Sequence, residues 1–292
     1  MTIATRPDAV RKARPTKWAQ VRRWALGALL ALLAVPTYLL LCGRWFPYCP
    51  FTPGFTTREL GTVVVCVQSG AEFDRYEEVA AVSPVVETRH GMCFTGKPRL
   101  LVFGDDECYR RLSPSRARFC AFYNGTVVMS PRAVRDTEEG TISLTTYLRH
   151  EFSHVLIFQQ MGVLGSMRYP KWLLEGIATY TADQRGTGAY PSRDSTYRLV
   201  REGNFMPPTV YQTKAGDDLE PNVENPLPFI YSEFACLVEY LIDSRGEARF
   251  WEYVRALMGD SDQDRAFCGV YGTDLEAVVE EFREHVQGQR EG

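Results

Sequence analysis

Residues 148–180, with the sequence LRHEFSHVLIFQQMGVLGSMRYPKWLLEGIATY, decide the fold of this chain. Apolar residues recur at helical spacing over 144–161, and a second helical pattern runs from Pro170 to about Asp183. Proline is well suited to open a helix, and the glycine-containing loop 162–169 separates the two segments. The sequence therefore predicts two consecutive helices, with the second doubling back against the first.

The sequence upstream of these helices carries strand signals. The runs 61–67 and 100–103 are rich in β-branched and other apolar residues, and each predicts a buried strand. A helical pattern near 72–86 lies between them. This order predicts a strand, a helix and a second strand in the first third of the chain.

A turn signal predicts the next two strands. Asn124-Gly125 is a dipeptide that strongly favours a hairpin turn, and apolar runs flank it at 119–123 and 126–130. The hairpin also precedes the helical stretch. We therefore expect a small mixed sheet with helices in the N-terminal half of the chain.

The sequence downstream of residue 183 is mainly helical. Residues 184–227 are polar and predict a long irregular excursion, which is where substrate-contacting loops are expected. The remaining apolar periodicity predicts helices at 229–244, 248–258 and 274–287, with a short one near 262–268. The predicted fold class is thus α+β, with a mainly helical C-terminal half.

Charge is distributed unevenly along the chain. Residues 1–23 carry seven Lys or Arg against one acid, Asp8, whereas the rest of the chain has 26 bases and 35 acids, a net charge of −9. A mildly acidic body argues against nucleic acid as a partner. The basic arm is better explained by the segment that follows it.

Residues 24–42, WALGALLALLAVPTYLLLC, contain no charged side chain. At about 1.5 Å per residue a helix of this length spans roughly 28 Å, close to the hydrocarbon thickness of a bilayer. We therefore predict a transmembrane signal anchor over 24–43. The positive flank predicts a cytoplasmic arm at 1–23 and an extracytoplasmic location, at the cell membrane, for everything beyond the single span.

A cleaved signal peptide is the alternative to an anchor. Its apolar region would be shorter, and small residues would follow at a small-x-small cleavage site. The sequence Cys42-Gly43-Arg44-Trp45 offers no such site, and the bulky Leu41 argues against lipid attachment to the cysteine. These features favour the uncleaved anchor.

The segment after the anchor has two further features. Residues 44–58 contain prolines and a glycine that predict a stiff, extended linker. Seven of the eight cysteines lie beyond the span and none forms a Cys-x-x-Cys pair, which argues against a cysteine-built zinc site. In an oxidising compartment we expect some of the seven to pair as disulfides.

The first long helix contains the motif His-Glu-x-x-His. Residues four apart share one face of a helix, so His150 and His154 can present their imidazoles to one cation, as zinc requires of nitrogen ligands. Glu151 lies one step round the same surface, where it can reach a water on the metal. The pattern predicts that zinc activates this water, while Glu151 acts as the general base in its attack on a carbonyl.

A catalytic zinc site needs a third protein ligand and an open position. In one class the motif continues to a glycine and a third histidine, but Ile157 and Gln160 occupy those positions here. Another class takes a Glu from the following helix. Glu175, twenty-one residues after His154, is in the right place to be that ligand.

The motif HEFSH at 150–154, followed by WLLEGIA at 172–178, resembles the gluzincin superfamily of zinc peptidases. It is most similar to the minimal, aminopeptidase-like catalytic domains often called peptidase-MA-like. The similarity is strong over 141–185, weaker over 229–287 and vague before residue 130. It implies a zincin-like catalytic domain over 59–288.

The resemblance also implies roles for individual residues. It makes His150, His154 and Glu175 the ligands of Zn²⁺ and Glu151 the general base. It further implies an oxyanion-stabilising tyrosine on a later helix, for which Tyr231 is the candidate, and Tyr180 is the second choice.

Other polar residues near the motif have less specific interpretations. Thr179 and Asp183 follow Glu175 by one and two helical turns and could orient the zinc histidines. The strand 125–130 is expected to be the sheet edge that pairs with an extended peptide. His90 and His285 lie among polar residues, so we expect both to be solvated.

These observations predict a membrane-anchored, extracytoplasmic zinc metallopeptidase that acts on a peptide or protein substrate. Two alternatives remain open from the sequence. One is a binding or scaffold module that keeps the gluzincin fold without turnover, because no substrate-selecting module is recognisable. The other is a zinc hydrolase of a non-peptide amide or ester, since the ligands alone do not determine the substrate.

Overall fold

The computed structural model describes residues 17–69, 73–211, 221–260 and 262–289. Most of the predicted cytoplasmic arm, residues 1–16, lies outside the described residues. The strands are β1 (Phe55–Leu60), β2 (Val63–Gln68), β3 (Arg99–Val102), β4 (Phe119–Ala121) and β5 (Thr126–Met129). The helices are α1 (Lys17–Cys42), α2 (Val82–His90), α3 (Asp106–Leu112), α4 (Pro131–Glu138), α5 (Leu144–Ser166), α6 (Lys171–Thr181), α7 (Arg193–Arg201), α8 (Pro208–Tyr211), α9 (Pro226–Arg245), α10 (Glu247–Gly259), α11 (Gln263–Tyr271) and α12 (Leu275–Gly288).

The five strands form one mixed sheet in the order β1-β2-β3-β5-β4. The central strands β2, β3 and β5 are parallel, and the outer strands β1 and β4 pair antiparallel with their neighbours. The hairpin predicted at Asn124-Gly125 joins β4 to β5, and Gly125 has the positive φ of 83° that such a turn requires. This arrangement confirms the predicted mixed sheet and mainly helical second half.

The edge strand differs from the expected one. We expected residues 125–130 to form the sheet edge, but β5 lies between β3 and β4 and is hydrogen-bonded on both sides. The edge is β4 instead. A strand within a hairpin can face either inward or outward, and the turn signal alone does not indicate which of its two strands is the outer one.

Alternate residues of the central strands are buried on opposite faces of the sheet. On one face, Val65, Leu100 and Val127 pack against α2 and α5. On the other face, Leu101 and Val128 pack with residues of α3 and of the segment after α1. Because both faces are covered, the strands read as continuous apolar runs in the sequence.

The segment 44–58 is folded onto the sheet and differs from the extended linker that its prolines predict. Phe46 in a 3-10 turn (Phe46–Tyr48) is fully buried, and the Arg99 guanidinium donates hydrogen bonds to the carbonyls of Pro47 and Cys49 at 2.6 and 2.7 Å. The end of the segment enters β1, which pairs with β2. The partners that hold it lie far along the chain, so local composition did not reveal them.

The helical half is organised around α6 and α9. The two helices approach so closely that a Cβ on Gly176 would lie 2.9 Å from the carbonyl oxygen of Phe234. Trp172 is fully buried at this contact, and its Nε1 donates to Gln263 Oε1 at 3.0 Å. The helices α10, α11 and α12 complete the core. This packing fixes α6 against α5, so that Glu175 of α6 faces α5.

Within the helical half, α5 is broken by one residue. Gly162 has φ 66° and ψ 176°, a conformation outside the helical region that glycine adopts readily. The break comes directly after residue 161, where the predicted helix ends. A short helical turn continues from there to Ser166. Residues 184–227 contain α7 and α8 as short local elements, while 212–220 lie outside the described residues.

The helix α1 includes one stretch, Gln20–Cys42, that is long and apolar enough to cross a membrane. A signal sequence near the N-terminus would pass the same test of length and composition. None of its hydrophobic window is buried in the domain, which distinguishes it from a core helix.

The eight cysteines are all free thiols, so the expected disulfides are not formed in this structure. Cys49, Cys66 and Cys236 are buried. A buried thiol packs as a small hydrophobic side chain, which accounts for these three without a cross-link.

Candidate metal centre

The helix α5 places the two histidines of the motif on one buried face. Ser143 caps the helix by accepting a hydrogen bond from the amide of Thr146 at 3.3 Å. Leu148 and neighbouring apolar residues bury the helix against the sheet. His150 and His154 then lie one turn apart, with ring centroids 4.7 Å from one another and ring planes perpendicular.

The helix α6 brings a carboxylate to these two rings. The Oε2 of Glu175 lies 3.3 Å from Nε2 of His150 and 3.5 Å from Nε2 of His154. One ligand atom from each residue lies within 4.8 Å of the other two. The structure thus brings together the three residues that the sequence predicts as metal ligands.

The charges within this cluster are strongly coupled. Burial alone would raise the pKa of Glu175, but His154 and His150 outweigh it and hold that pKa well below its usual value. Burial alone would lower the pKa of His154, but Glu175 outweighs it and raises that pKa. The cluster is therefore a buried group of complementary charges facing one point.

The donor set fits a zinc ion. Zinc takes imidazole nitrogen and carboxylate oxygen as ligands, and three protein ligands leave a fourth position open. Within the described part of the chain, Oε2 of Glu175 is buried and has no hydrogen-bond partner, although it faces two Nε2 atoms. A buried polar atom without a partner is costly, and a cation at this point would satisfy it.

Glu151 faces the cleft next to this cluster and is not one of its three members. The backbone of Ala121, in the edge strand β4, lies beside this carboxylate and favours its charged form. Burial is the main cause of a raised pKa for Glu151. The side chain is thus held between the metal-binding helix and the sheet edge.

The cleft between β4 and the two helices has a volume of about 450 Å³. Tyr231, from α9, lines it with its ring centroid 6.2 Å from that of His150. Tyr180 does not line the cleft, and its ring lies under the guanidinium of Arg185, 5.8 Å away. Of the two tyrosines considered from the sequence, only Tyr231 is beside the histidines.

Sequence reasoning missed two further tyrosines that line the cleft, Tyr147 and Tyr190. Their ring centroids are 6.4 Å apart, and burial raises the pKa of both phenols. Gln184, also in the lining, is buried between them and α6. The available signal was position, because Tyr190 lies in the glycine-containing loop directly after the helix of Glu175.

The polar residues expected to orient the histidines have other surroundings. Asp183 pairs with Arg89 at 2.5 Å near the surface. Thr179 is buried, and its hydroxyl has no hydrogen-bond partner among the described residues. Neither residue forms a hydrogen bond to His150 or His154, so the structure does not support that interpretation.

His90 is buried, contrary to the expectation that it is solvated, whereas His285 is exposed as expected. The Nδ1 of His90 donates to the carbonyl of Val86 at 2.8 Å, and Nε2 then accepts from the hydroxyl of Ser153 at 2.8 Å. Burial lowers the pKa of His90 to about 4, so the ring is neutral near pH 7. Its polar sequence neighbours concealed a contact with the centre of the motif.

Comparisons with known proteins give only distant similarity. No family model matches the sequence, and no curated protein matches it. The solved structures that are similar in part include an M1 zinc metallopeptidase from Deinococcus radiodurans and a mutant of it. Each is 14% identical, matching 81% of this chain and 52% of the other, with TM-scores of 0.43 and 0.44 for enzyme and mutant.

The chain therefore spans about half the length of these two proteins. A likeness this distant decides neither the family nor the activity of the chain. The argument for function rests on the geometry of the cleft itself.

Proposed function

We propose that this chain is a gluzincin-type zinc metallopeptidase whose catalytic domain lies outside the cell membrane, tethered by α1. The observation that carries the proposal is the convergence of Nε2 of His150, Nε2 of His154 and a carboxylate oxygen of Glu175 at one buried point. These three residues would hold the zinc. When bound, zinc supplies Lewis acidity, which makes a nearby water more acidic and polarises a substrate carbonyl.

Glu151 is the proposed general base. It lies in the cleft wall, beside the cluster but outside it, and the backbone of Ala121 in β4 lies next to its carboxylate. A carboxylate in this place can take a proton from the attacking water and pass it to the leaving amine. The zinc ligands and the base therefore have separate tasks.

Tyr231 is the proposed oxyanion donor. Its ring lies beside His150, and its phenol forms a hydrogen bond with that of Tyr211. A phenol that lines the cleft can donate to the negative oxygen that develops during attack on a carbonyl. Tyr180 is not proposed for this role, because it lies outside the cleft lining.

The edge strand supports a peptide as the substrate. In β4, Cys120 is directly opposite Val128. On either side of it, the carbonyl of Arg118 accepts from the amide of Ser130, and the amide of Phe122 donates to the carbonyl of Thr126. The alternating pattern of antiparallel pairs turns the backbone of Phe119 towards the cleft. An extended peptide can add to such an edge by main-chain hydrogen bonds, which a small amide or ester would not use.

Metal content and peptide cleavage test this proposal together. The purified full-length protein should contain about one zinc per chain and should cleave members of a peptide library. The matched variant Glu151→Gln should keep the zinc and lose cleavage by at least about 100-fold. If both the wild type and the variant bind zinc but neither cleaves any peptide, the scaffold alternative is favoured instead.

The proposed location needs its own test. The arm at 1–23 is proposed to be cytoplasmic and the chain after α1 extracytoplasmic, as the positive-inside rule predicts. The protein should resist alkaline extraction from membranes, and protease added outside spheroplasts should digest the domain. Release of the intact domain by alkali would contradict the proposed membrane anchor and leave the proposed zinc site unaffected.

A further inference from the structure

A small apolar surface lies directly after the break in α5. Val163, Leu164 and Met167, called here the apolar turn, are 51%, 73% and 65% exposed. The turn is well anchored, because the hydroxyl of Ser166 donates to the carbonyl of Gly162 at 2.7 Å and Tyr169 is buried behind it. A fixed turn that presents three large apolar side chains to water calls for a partner.

Basic residues border the apolar turn. Arg168 and Lys171 follow it immediately, and both are exposed. Neither has an ion-pair partner within the part of the chain that the structure describes. Apolar side chains bordered by unpaired cations are typical of protein segments that lie in the headgroup region of a bilayer containing anionic lipid.

The segment after α1 is held at the β4–β5 hairpin. Only three residues separate the end of α1 from the 3-10 turn. The carbonyl of Pro47 in that turn accepts from the side-chain amide Nδ2 of Asn124 at 2.9 Å, and the ring of Tyr48 lies 5.4 Å from that of Phe122. The hairpin turn therefore marks the end of the domain that is nearest the membrane exit of α1.

The same hairpin turn contacts the end of α5 that leads into the apolar turn. The ring of Tyr123 lies 4.8 Å from that of Phe158. A Cβ on Gly125 would lie 3.1 Å from the side-chain amide of Gln159, four residues before Val163. The hairpin thus links the exit of α1, on one face of the sheet, to the apolar turn on the other.

We propose that the apolar turn lies in the interface of the membrane that α1 crosses, with Arg168 and Lys171 at the lipid phosphates. The proposal rests on the proposed anchoring by α1. Trp45 and Phe51 are 47% and 72% exposed in the segment beside the hairpin, and they give the same end of the domain a second apolar contact with lipid. The occupant of this surface is therefore phospholipid.

Photo-crosslinking in vesicles tests this orientation. The full chain, reconstituted in equal parts of phosphatidylcholine and phosphatidylglycerol, carries benzoylphenylalanine at Leu164. Glu107, an exposed residue of α3, is the control position. Arg99 at the start of β3 bonds to the hairpin, whereas α3 follows the other end of β3, so Glu107 lies away from the hairpin. A third protein carries the probe at Trp24, within α1, as a reference for anchoring.

Lipid labelling from Leu164 should exceed that from Glu107 about fivefold or more. Replacing Arg168→Glu and Lys171→Glu together should reduce the labelling at Leu164 by about fivefold. Labelling from Trp24 with equal, weak labelling at Leu164 and Glu107 overturns the orientation and leaves the anchor intact. No labelling from Trp24 overturns the anchor and the orientation with it, and a cross-link from Leu164 to a second copy of the chain shows a protein interface instead.

Discussion

The two walls of the cleft present different chemical groups, side chains on one wall and backbone groups on the other. The helical wall, α5 and α6, presents side chains whose positions are fixed by a buried apolar core. The opposite wall, β4, presents backbone amides and carbonyls at a sheet edge. The helical wall therefore determines the chemistry of the site, whereas the strand wall offers main-chain hydrogen bonds that the proposed peptide substrate would use whatever its sequence.

The largest expected effect is on the helical wall. Glu175→Ala removes the carboxylate that lies 3.3 and 3.5 Å from the two histidines. The loss of a direct ligand should weaken zinc binding by more than the 10–100-fold that is typical for residues that only orient a ligand. Zinc content after dialysis against a graded chelator series measures this.

A matched replacement distinguishes ligand loss from misfolding. Glu239→Ala removes another partly buried carboxylate, on α9, which pairs with Arg185 and lies outside the cluster. It should leave the zinc affinity unchanged. If both variants lose zinc equally, the cluster at Glu175 is not the metal centre.

The strand wall is tested by removing one backbone donor. Ala121→Pro eliminates the backbone amide beside the Glu151 carboxylate, and proline is tolerated at an outward-facing edge position. A lost hydrogen bond to a charged group is worth about 1.5–3 kcal/mol, so kcat should fall roughly 10–150-fold with zinc content unchanged. Ala121→Gly keeps the amide and should retain most of the activity. Equal losses in both variants would mean that the amide does not position Glu151.

The two walls also differ in what the sequence could predict. The two histidines on α5 follow from helical periodicity, because residues four apart meet on one face whatever surrounds them. Glu175 on α6 was predicted from the resemblance to the gluzincin motif. The edge position of β4 and the docking of Phe46 depend on partners dozens of residues away. Local patterns predict strands well, but strand order and neighbour choice are set by the packing of the whole sheet.

The same distinction applies to single residues of the site. Tyr231 was predicted because it heads a helix in a recognisable segment. Tyr190 and the buried His90 were not predicted, because Tyr190 lies in a loop and His90 lies at a helix end among polar sequence neighbours. Burial is a property of the fold, and the composition around one residue indicates it poorly.

A smaller change tests how the contact of α6 with α9 supports the helical wall. Gly176→Ala places a Cβ 2.9 Å from a backbone oxygen of α9, which cannot move out of the way as a side-chain tip could. Overpacking of this kind costs about 1–3 kcal/mol, and the displaced α6 should also weaken zinc binding. Thermal unfolding with and without chelator measures both effects.

The control for this change lies on another helix. Gly269, within α11, has nothing within 4 Å of its added Cβ. Alanine is a better helix former than glycine, so Gly269→Ala should be neutral or stabilise the protein by up to about 1 kcal/mol. If Gly176→Ala is as well tolerated as Gly269→Ala, the close contact of α6 with α9 does not determine the position of Glu175.

The smallest expected effect is on the pH dependence of stability and concerns Glu233, a buried acid on α9. The carboxyl oxygens Oε1 and Oε2 of Glu233 accept a hydrogen bond from the amide of Met206 at 3.1 and 3.2 Å. Burial raises the pKa of Glu233 well above the ordinary 4.5. The folded protein therefore holds a proton that the unfolded chain releases above about pH 4.5. Stability should fall as the pH rises from there through the folded pKa. Glu233→Gln should remove this decline and leave the variant about 1–3 kcal/mol more stable than wild type in alkaline buffer.

Glu239 on the same helix should show the opposite sign. Burial disfavours its charge, but the hydrogen bond from Arg185 outweighs burial and lowers the pKa of Glu239. Its stabilising contribution is present above the unfolded pKa of about 4.5 and is lost as the pH falls through the folded pKa. Glu239→Gln should therefore lose stability at neutral pH, whereas Glu233→Gln gains it. Urea unfolding at several pH values separates the two, and curves of the same sign would show that Glu233 is not held as a neutral, buried acid.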